Sequence, residues 1–321
     1  MKAMKTSIWA AVTALVLSLS VSVPSYAQQD QADNLAQQVD RLYQAGKYAA
    51  ALPLAQQVLA ISEKEFGPDD IRVAVPLNDL GTVHYSLGQY AVAETLYKRS
   101  LAIKEKAFGP DNAVIAGVLN NLGELYRVQE RYADAEPILK RSIAIREKTV
   151  GPDDPNIAPA LSNLAAVYSN QGRYDLSGPL FKRALAVLEK ANGPDDPNVT
   201  VLLNNLADVY TNQRRYADAE RLLKRSIAVT TKAFGPNHPD VAQSLNNLAA
   251  LYGRQGRDAD AERYFKLSLA TFEKTLGPNH PELADVLENL AGLYKHQGRT
   301  ADAREFFKRS MAIRKAGSEP V

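Results

Sequence analysis

The chain has 321 residues, of which 23% are charged and 45% hydrophobic, a composition that argues against wholesale disorder and against a polytopic membrane protein. With 38 Lys and Arg against 36 Asp and Glu, no charge excess points to nucleic acid or to anionic lipid. The absence of cysteine excludes disulfides, thiolate metal sites, a cysteine nucleophile and a lipidated cysteine.

Residues 1–27 read as a targeting segment. Lys2 and Lys5 precede an uncharged, largely apolar run from Ile8 to Val23, and Ser25-Tyr26-Ala27 supplies small residues at the −3 and −1 positions of a cut after Ala27. That is the layout of a secretory signal peptide, and the run is short for a membrane span of ~20 residues; an uncleaved N-terminal anchor is the alternative. Removal takes two lysines and no acid, leaving 36 basic against 36 acidic residues over 294 positions. The expectation is an exported protein, periplasmic or extracellular, with no membrane contact in its mature form.

From there one unit is written seven times. Gly67-Pro68, Gly109-Pro110, Gly151-Pro152, Gly193-Pro194, Gly235-Pro236 and Gly277-Pro278 recur at a constant interval of 42 residues, and a fixed period of that size marks a solenoid or an array. The units run over about 29–70, 71–112, 113–154, 155–196, 197–238, 239–280 and 281–316, with a tail at 317–321.

Each unit spells two helices. In the fifth, Leu202, Leu206, Val209 and Tyr210 form an apolar stripe at 3–4 residue spacing, and Tyr216, Ala219, Leu222, Leu223 and Ile227 form a second. Asn212-Gln213-Arg214-Arg215 makes the turn between them, where other units use Gly172, Gly256 or Gly298. Gly235 ends the second helix and Pro236 prevents its continuation. Asp154, Asp196, His238 and His280, each followed by Pro, announce the next helix start, which gives the pairs Asp153/Asp154 and Asp195/Asp196 a structural role.

Three residue sets resemble the tetratricopeptide repeat: Leu206-Ala207 with Tyr210, Tyr216 with Ala219, and Ser226 or Ala184. Ala207 and Ala219 lie where the helices must approach closely. The wording is similar to the 42-residue, kinesin-light-chain-like variant of that repeat, with a weaker first unit that carries Gln38 and Val39 at the Leu and Gly or Ala positions; polar replacements suit a capping repeat. The resemblance implies an all-α, right-handed superhelical solenoid of seven helix-turn-helix units, acting as a bacterial exported scaffold for a protein or peptide partner, with the first helices lining the groove.

Nothing in the sequence spells a reaction. It has no Gly-x-Ser-x-Gly, no phosphate-binding Gly-x-x-x-x-Gly-Lys and no His-Glu-x-x-His, so the expectation is no enzyme, no cofactor, no metal and no nucleic acid. His84 replaces a repeat Tyr and reads as an interior residue; His238 and His280 lie one repeat apart, too far to share a metal unaided. Lys98-Arg99, Lys140-Arg141, Lys182-Arg183, Lys224-Arg225, Lys266 and Lys308-Arg309 make a basic ladder. Glu94, Glu136, Glu220 and Glu262 lie four residues before four of the lysines, which is the spacing of solvated helix pairs rather than of a phosphate track.

Asn121, Asn163, Asn205, Asn247 and Asn289 form an amide ladder, with Asp79 and Gln37 at the same position in earlier units and Asn78, Asn120, Ser162, Asn204, Asn246 and Glu288 one residue before. The family resemblance implies that such amides grip the backbone of an extended peptide; equally, they can bond neighbouring helices and hold the stack in register. Variable groove positions include Glu124, Arg127, Ala166, Asn170, Asp208, Asn212 and Gln243. Among the variable residues, Arg254, Lys295 and His296 make the C-terminal units basic, while Asp33, Asp40 and Asp79 make the N-terminal units acidic. An acidic peptide segment is therefore expected on the last two units. A binder of envelope polymer or of a small ligand is the second reading. Two irregularities stand out. Ser177-Gly178-Pro179 inside a second helix predicts a soft joint, and Phe307 with Met311 predicts an open apolar face for a second copy or a partner.

Overall fold

The computed structural model describes residues 26–318. The leader expected at 1–27 falls outside the described residues except for Tyr26 and Ala27. Two compact units divide the chain, Met1–Asp111 and Asn112–Val321, and the boundary lies between the second and third sequence repeats.

The first unit contains α1 (Tyr26–Gln44), α2 (Tyr48–Phe66), α3 (Ala74–Ser86) and α4 (Tyr90–Phe108). Its core gathers Val39, Ala51, Ala55, Leu77, Leu80, Val83 and Ile103. His84 is an interior residue as expected, 8% exposed, with Nδ1 2.5 Å from Gln89 Oε1.

The second unit contains α5 (Ala113–Val128), α6 (Tyr132–Thr149), α7 (Ala158–Asn170), α8 (Tyr174–Asn192), α9 (Val199–Asn212), α10 (Tyr216–Phe234), α11 (Pro239–Arg254), α12 (Asp258–Leu276), α13 (Leu283–His296) and α14 (Thr300–Ser318). Helix α14 thus absorbs two residues expected in the tail. The odd-numbered helices of this unit pack side by side; α6, α8, α10 and α12 each pack on the two odd-numbered helices that flank them in sequence, and α14 packs on α13. Two layers result, with the odd-numbered helices forming one of them.

Small residues set how closely the layers approach. Ala165, Ala207 and Ala249 are 0–1% exposed. Gly123 holds the same position in α5, and a Cβ built there would lie 2.4 Å from Leu139 Cδ2. Serines then hook the layers together: Ser142 Oγ donates to the Ala116 carbonyl at 2.8 Å and Ser268 Oγ to that of Ala242 at 2.7 Å.

Ion pairs link successive repeats, and they revise the reading of the basic ladder. Its lysines do pair within their own helix, Lys140 with Glu136 at 2.6 Å and Lys266 with Glu262 at 2.6 Å. Its arginines reach back to the preceding repeat. Arg225 meets Glu189 at 2.5 Å and donates to the Pro194 carbonyl at 2.6 Å; Arg309 meets Glu273 at 2.6 Å and the Pro278 carbonyl at 2.8 Å. At the joint between repeats five and six both partners change together, to Thr231 and Leu267. The acidic pairs work as expected and more. Asp154 caps through the Asn156 N–H at 3.1 Å, while Asp153 and Asp195 each pair with a lysine one repeat on, Lys190 and Lys232, at 2.5 and 2.6 Å.

A second tie runs through the glutamates. Glu136 accepts from the hydroxyl of Tyr168 at 2.9 Å and pairs with Arg173 at 3.5 Å. Glu220 does the same with Tyr252 at 3.1 Å and Arg257 at 3.4 Å, and Glu262 with Tyr294 and Arg299 at 3.0 Å each. Hydrogen bonds from Lys140, Lys224 and Lys266 are the main cause holding these three carboxyls below the ordinary Glu range, with the tyrosine hydroxyls adding to the effect. Gly178 stands at this position in α8 and provides no carboxylate. Helix α8 nevertheless runs unbroken through Ser177-Gly178-Pro179.

Candidate functional site

A concave cavity of about 600 Å³ opens in the second unit. Helices α5, α7, α9 and α11 contribute its walls, and Phe181 of α8 and Leu223 of α10 reach its floor. Five of the sequence-predicted residues line it together: Asn163, Asn205, Asn247, Arg127 and Arg254. Ala166, Asn170 and Asp208 join them. Asn121, Asn289, Lys295 and His296 lie outside it.

The periodicity of the repeat explains the convergence. Asn163, Asn205 and Asn247 are 42 residues apart on helices packed side by side, so their side chains form a row across the odd-numbered layer. Each follows an apolar stripe that faces the second layer, which leaves the amides on the opposite flank.

Hydrogen bonding sorts the ladder residue by residue. Asn163 Nδ2 donates to Asn120 Oδ1 at 3.1 Å, and Asn289 Nδ2 to Asn246 Oδ1 at 3.0 Å. These two hold neighbouring helices in register. Between α7 and α9 the amide oxygen is absent because the shorter Ser162 replaces asparagine. Asn205 makes no side-chain hydrogen bond among the described residues and faces the cavity. Asn247 Oδ1 accepts from Gln243 Nε2 at 3.1 Å, and Asn204 turns its Nδ2 to Ser244 Oγ at 3.3 Å, leaving its own Oδ1 buried without a partner.

The charged residues sort as well. Arg254 donates to Asn212 Oδ1 at 3.0 Å, and Asn212 Nδ2 donates to Asp208 Oδ2 at 3.1 Å. Asp208 keeps an exposed edge, but the concave wall thins the water around it. That desolvation raises its carboxyl above the ordinary range, against the opposing charge of Arg254 and the Asn212 hydrogen bond. Arg127 is half-buried, and its Nε is buried with no hydrogen-bond partner. Lys295 and His296 are exposed, and His296 Nδ1 lies 3.4 Å from Asp258 Oδ2. Of the three basic residues expected on the last two units, only Arg254 lines the cavity. Arg254 is engaged within it, and the other two stand on α13.

Sequence reasoning passed over Ser169, Thr211, Val201, Phe181 and Leu223 as cavity residues. Phe181 and Leu223 belong to stripes that read as core, and both are 2% exposed. Val201, 62% exposed, had a signal in the sequence: it takes a position held by Gly117, Pro159, Gln243 and Asp285 in other units.

In the first unit, Asp79 takes the ladder position. Its side chain keeps an exposed edge, but the packing around it thins the water, and that desolvation raises its carboxyl, with nearby Asp40 adding to the shift; the Asn78 hydrogen bond and the Lys104 charge oppose it. Among the described residues no group of three or more His, Asp or Glu side chains is arranged to hold a metal ion, and no helix is long and apolar enough to cross a membrane.

The family model described as tetratricopeptide repeat matches residues 40–106, 114–190, 156–228, 199–274 and 259–316, and a second model of the same description matches 78–149. No curated protein matches the chain. Among solved structures, the chain is similar to a putative kinesin light chain of Podosopora anserina with nearly identical TPR-like repeats. That pair shares 21% identity over 63% of this chain and 95% of that one, with a TM-score of 0.53. Aspartyl phosphate phosphatase F of Bacillus subtilis shares 16% identity over 90% of this chain and 71% of that one, with a TM-score of 0.66. The Rap conjugation gene regulator of the plasmid pLS20, solved in complex with the Phr peptide, shares 17% identity over 87% and 72%, with a TM-score of 0.63. At these identities the likeness concerns the fold alone.

Proposed function

The chain belongs to the tetratricopeptide repeat family, and on that premise we propose that it is a non-catalytic scaffold whose odd-numbered helices bind an extended segment of a partner protein. The observation that carries this reading is the cavity wall itself. Asn205 presents a donor and an acceptor that no described side chain occupies, in a row with Asn163 and Asn247, at the spacing of packed helices. An amide that can both donate and accept matches a peptide backbone, which alternates the same two groups. A peptide-bound structure exists for one fold neighbour, the Rap regulator, which shows that such a fold accommodates a peptide.

The scaffold reading includes export. Residues 1–27 act as a signal peptide, placing the mature chain in the periplasm or outside the cell, and the 42-residue repeat is of the kinesin-light-chain-like type. Phe307 and Met311, 52% and 50% exposed, are proposed as a contact for a second copy.

Affinity purification of the tagged chain, compared with an Asn205→Ala, Asn247→Ala variant, tests the reading. One specific protein retained by the parent and lost by the variant supports it. Retention on cell-envelope polymer alone, unaffected by the substitutions, sinks it.

A further inference from the structure

We propose that the cavity selects a peptide segment carrying a single acidic side chain, and that Arg127 receives that carboxylate. The proposal rests on the reading of the groove as a peptide site and adds the chemistry of its ligand. It also moves the acidic contact away from Arg254, Lys295 and His296, where the sequence placed it.

The argument starts from unpaired groups. A guanidinium that is partly out of water and has no counter-ion is unfavourable. Arg127 is such a group: it lines the cavity, its Nε is buried without a partner, and it forms no ion pair among the described residues. Most other arginines of the second unit meet a carboxylate within the fold, as Arg173, Arg183, Arg225 and Arg257 do. Arg254 shares the cavity but already binds Asn212 and stands near Asp208. In the cavity, one guanidinium without a counter-ion therefore remains, and its planar donors match a carboxylate in bidentate geometry.

The charge balance chooses between anions. Arg127 offers one free positive charge, and Asp208, already desolvated, sits in the same cavity. A monoanionic carboxylate fits that balance. A phosphate dianion would need a second free cation and would be repelled by Asp208.

Spacing completes the proposal. Arg127 lies on α5 and the unoccupied amide of Asn205 on α9, two helices along the layer. Packed helices stand 8–10 Å apart, so the two groups are separated by roughly 20 Å. An extended chain covers that distance in about six residues. The segment should thus carry its Asp or Glu about six residues from the backbone group held by Asn205.

The test uses peptides selected from a random dodecapeptide library on the full chain, then resynthesised and titrated by fluorescence anisotropy. Each is compared with a version in which Glu becomes Gln or Asp becomes Asn, on the parent protein and on Arg127→Gln and Arg127→Lys. Selected peptides rich in acid, with about tenfold weaker binding on neutralisation in the parent and almost none in Arg127→Gln, support the proposal. Arg127→Lys, which keeps the charge but loses the fork, should fall between them; thermal melting checks that each variant is folded. Neutral binders, or an equal loss on parent and Arg127→Gln, overturn the proposal and leave the peptide groove standing. Tighter binding of a phosphoserine version through Arg127 overturns the choice of a monoanion. Recovery of no peptide at all overturns the groove reading and this proposal with it.

Discussion

Tyr210 receives no carboxylate from Gly178, whereas Tyr168 donates to Glu136, Tyr252 to Glu220 and Tyr294 to Glu262 at the equivalent joints, at 2.9, 3.1 and 3.0 Å. Lys182 Nζ instead lies 5.5 Å from the centroid of the Tyr210 ring, and Arg215 turns to Asp218 at 2.5 Å. Ser162 removes the amide tie at the same joint. Two links are therefore missing between α7–α8 and α9–α10, beneath the cavity. Gly178→Glu should restore one of them, since a Cβ at Gly178 meets only Val209 Cγ1, at an ordinary 3.6 Å. The expected gain is about 0.5–1.5 kcal/mol from helix propensity and the ion pair. Hydrogen exchange should show the joint opening faster than its neighbours in the parent and slowing in the variant. Equal protection in the parent would refute the soft joint.

That gain should depend on pH with a definite sign. The equivalent glutamates titrate below their ordinary value because lysine hydrogen bonds favour the charged form. A carboxyl depressed in the folded state contributes stability above its unfolded value, near pH 4.3, and loses it as pH falls through the folded one. The melting temperatures of parent and Gly178→Glu should therefore differ most at pH 7, and the difference should narrow toward pH 3 to the part that helix propensity supplies.

Asp79 gives the opposite sign. Its carboxyl is raised by desolvation and by Asp40, so the charged form weakens the fold and the penalty grows as pH rises through the carboxylate range. Asp79→Asn restores the residue used by the later units. It should raise the melting temperature at pH 7 and leave it nearly unchanged at pH 3, as read by a pH series of thermal melts.

Arg214 and Glu130 adopt φ of 60° and 59° at turns where other units place glycine. A side chain in that left-handed region costs about 1 kcal/mol, partly offset by the greater freedom of glycine when unfolded. Arg214→Gly should stabilise by about 0.5 kcal/mol, a shift of one or two degrees that a double substitution with Glu130→Gly enlarges. Calorimetry of the three variants checks it.

The close approach of α5 and α6 predicts a coupled pair. Gly123→Ala drives a methyl into Leu139 and should cost about 1–3 kcal/mol. Leu139→Ala alone should cost about 2–5 kcal/mol through the cavity it leaves. The double variant should be less destabilised than the sum, a non-additivity that chemical denaturation of all four proteins measures.

Most of this architecture is legible in the chain. The Gly-Pro interval marks the units, the apolar stripes mark both helices of each, and Ala207 and Ala219 mark where they touch. The amide row also reads correctly as a row. What does not read is which member is free, because that depends on partners one repeat away: Asn163 is taken by Asn120, while Asn205 loses its acceptor to Ser162. The basic ladder was half legible for the same reason. The partners of its lysines lie four residues away on one helix. The arginines reach glutamates 36 residues away, a distance that no helical period displays. Arg127 likewise looked like one variable residue among many until packing withdrew the water around its Nε.

The joint exchange of Thr231 and Leu267 for the usual Glu and Arg has a practical consequence. Each boundary is written half on one repeat and half on the next, so the units are dialects and not interchangeable bricks. Copying the third repeat into the slot after the fifth would set Arg141 against Thr231, with no acid to meet it. Chimeras that cut the chain inside a repeat, keeping each boundary whole, should assemble where those that cut between repeats fail.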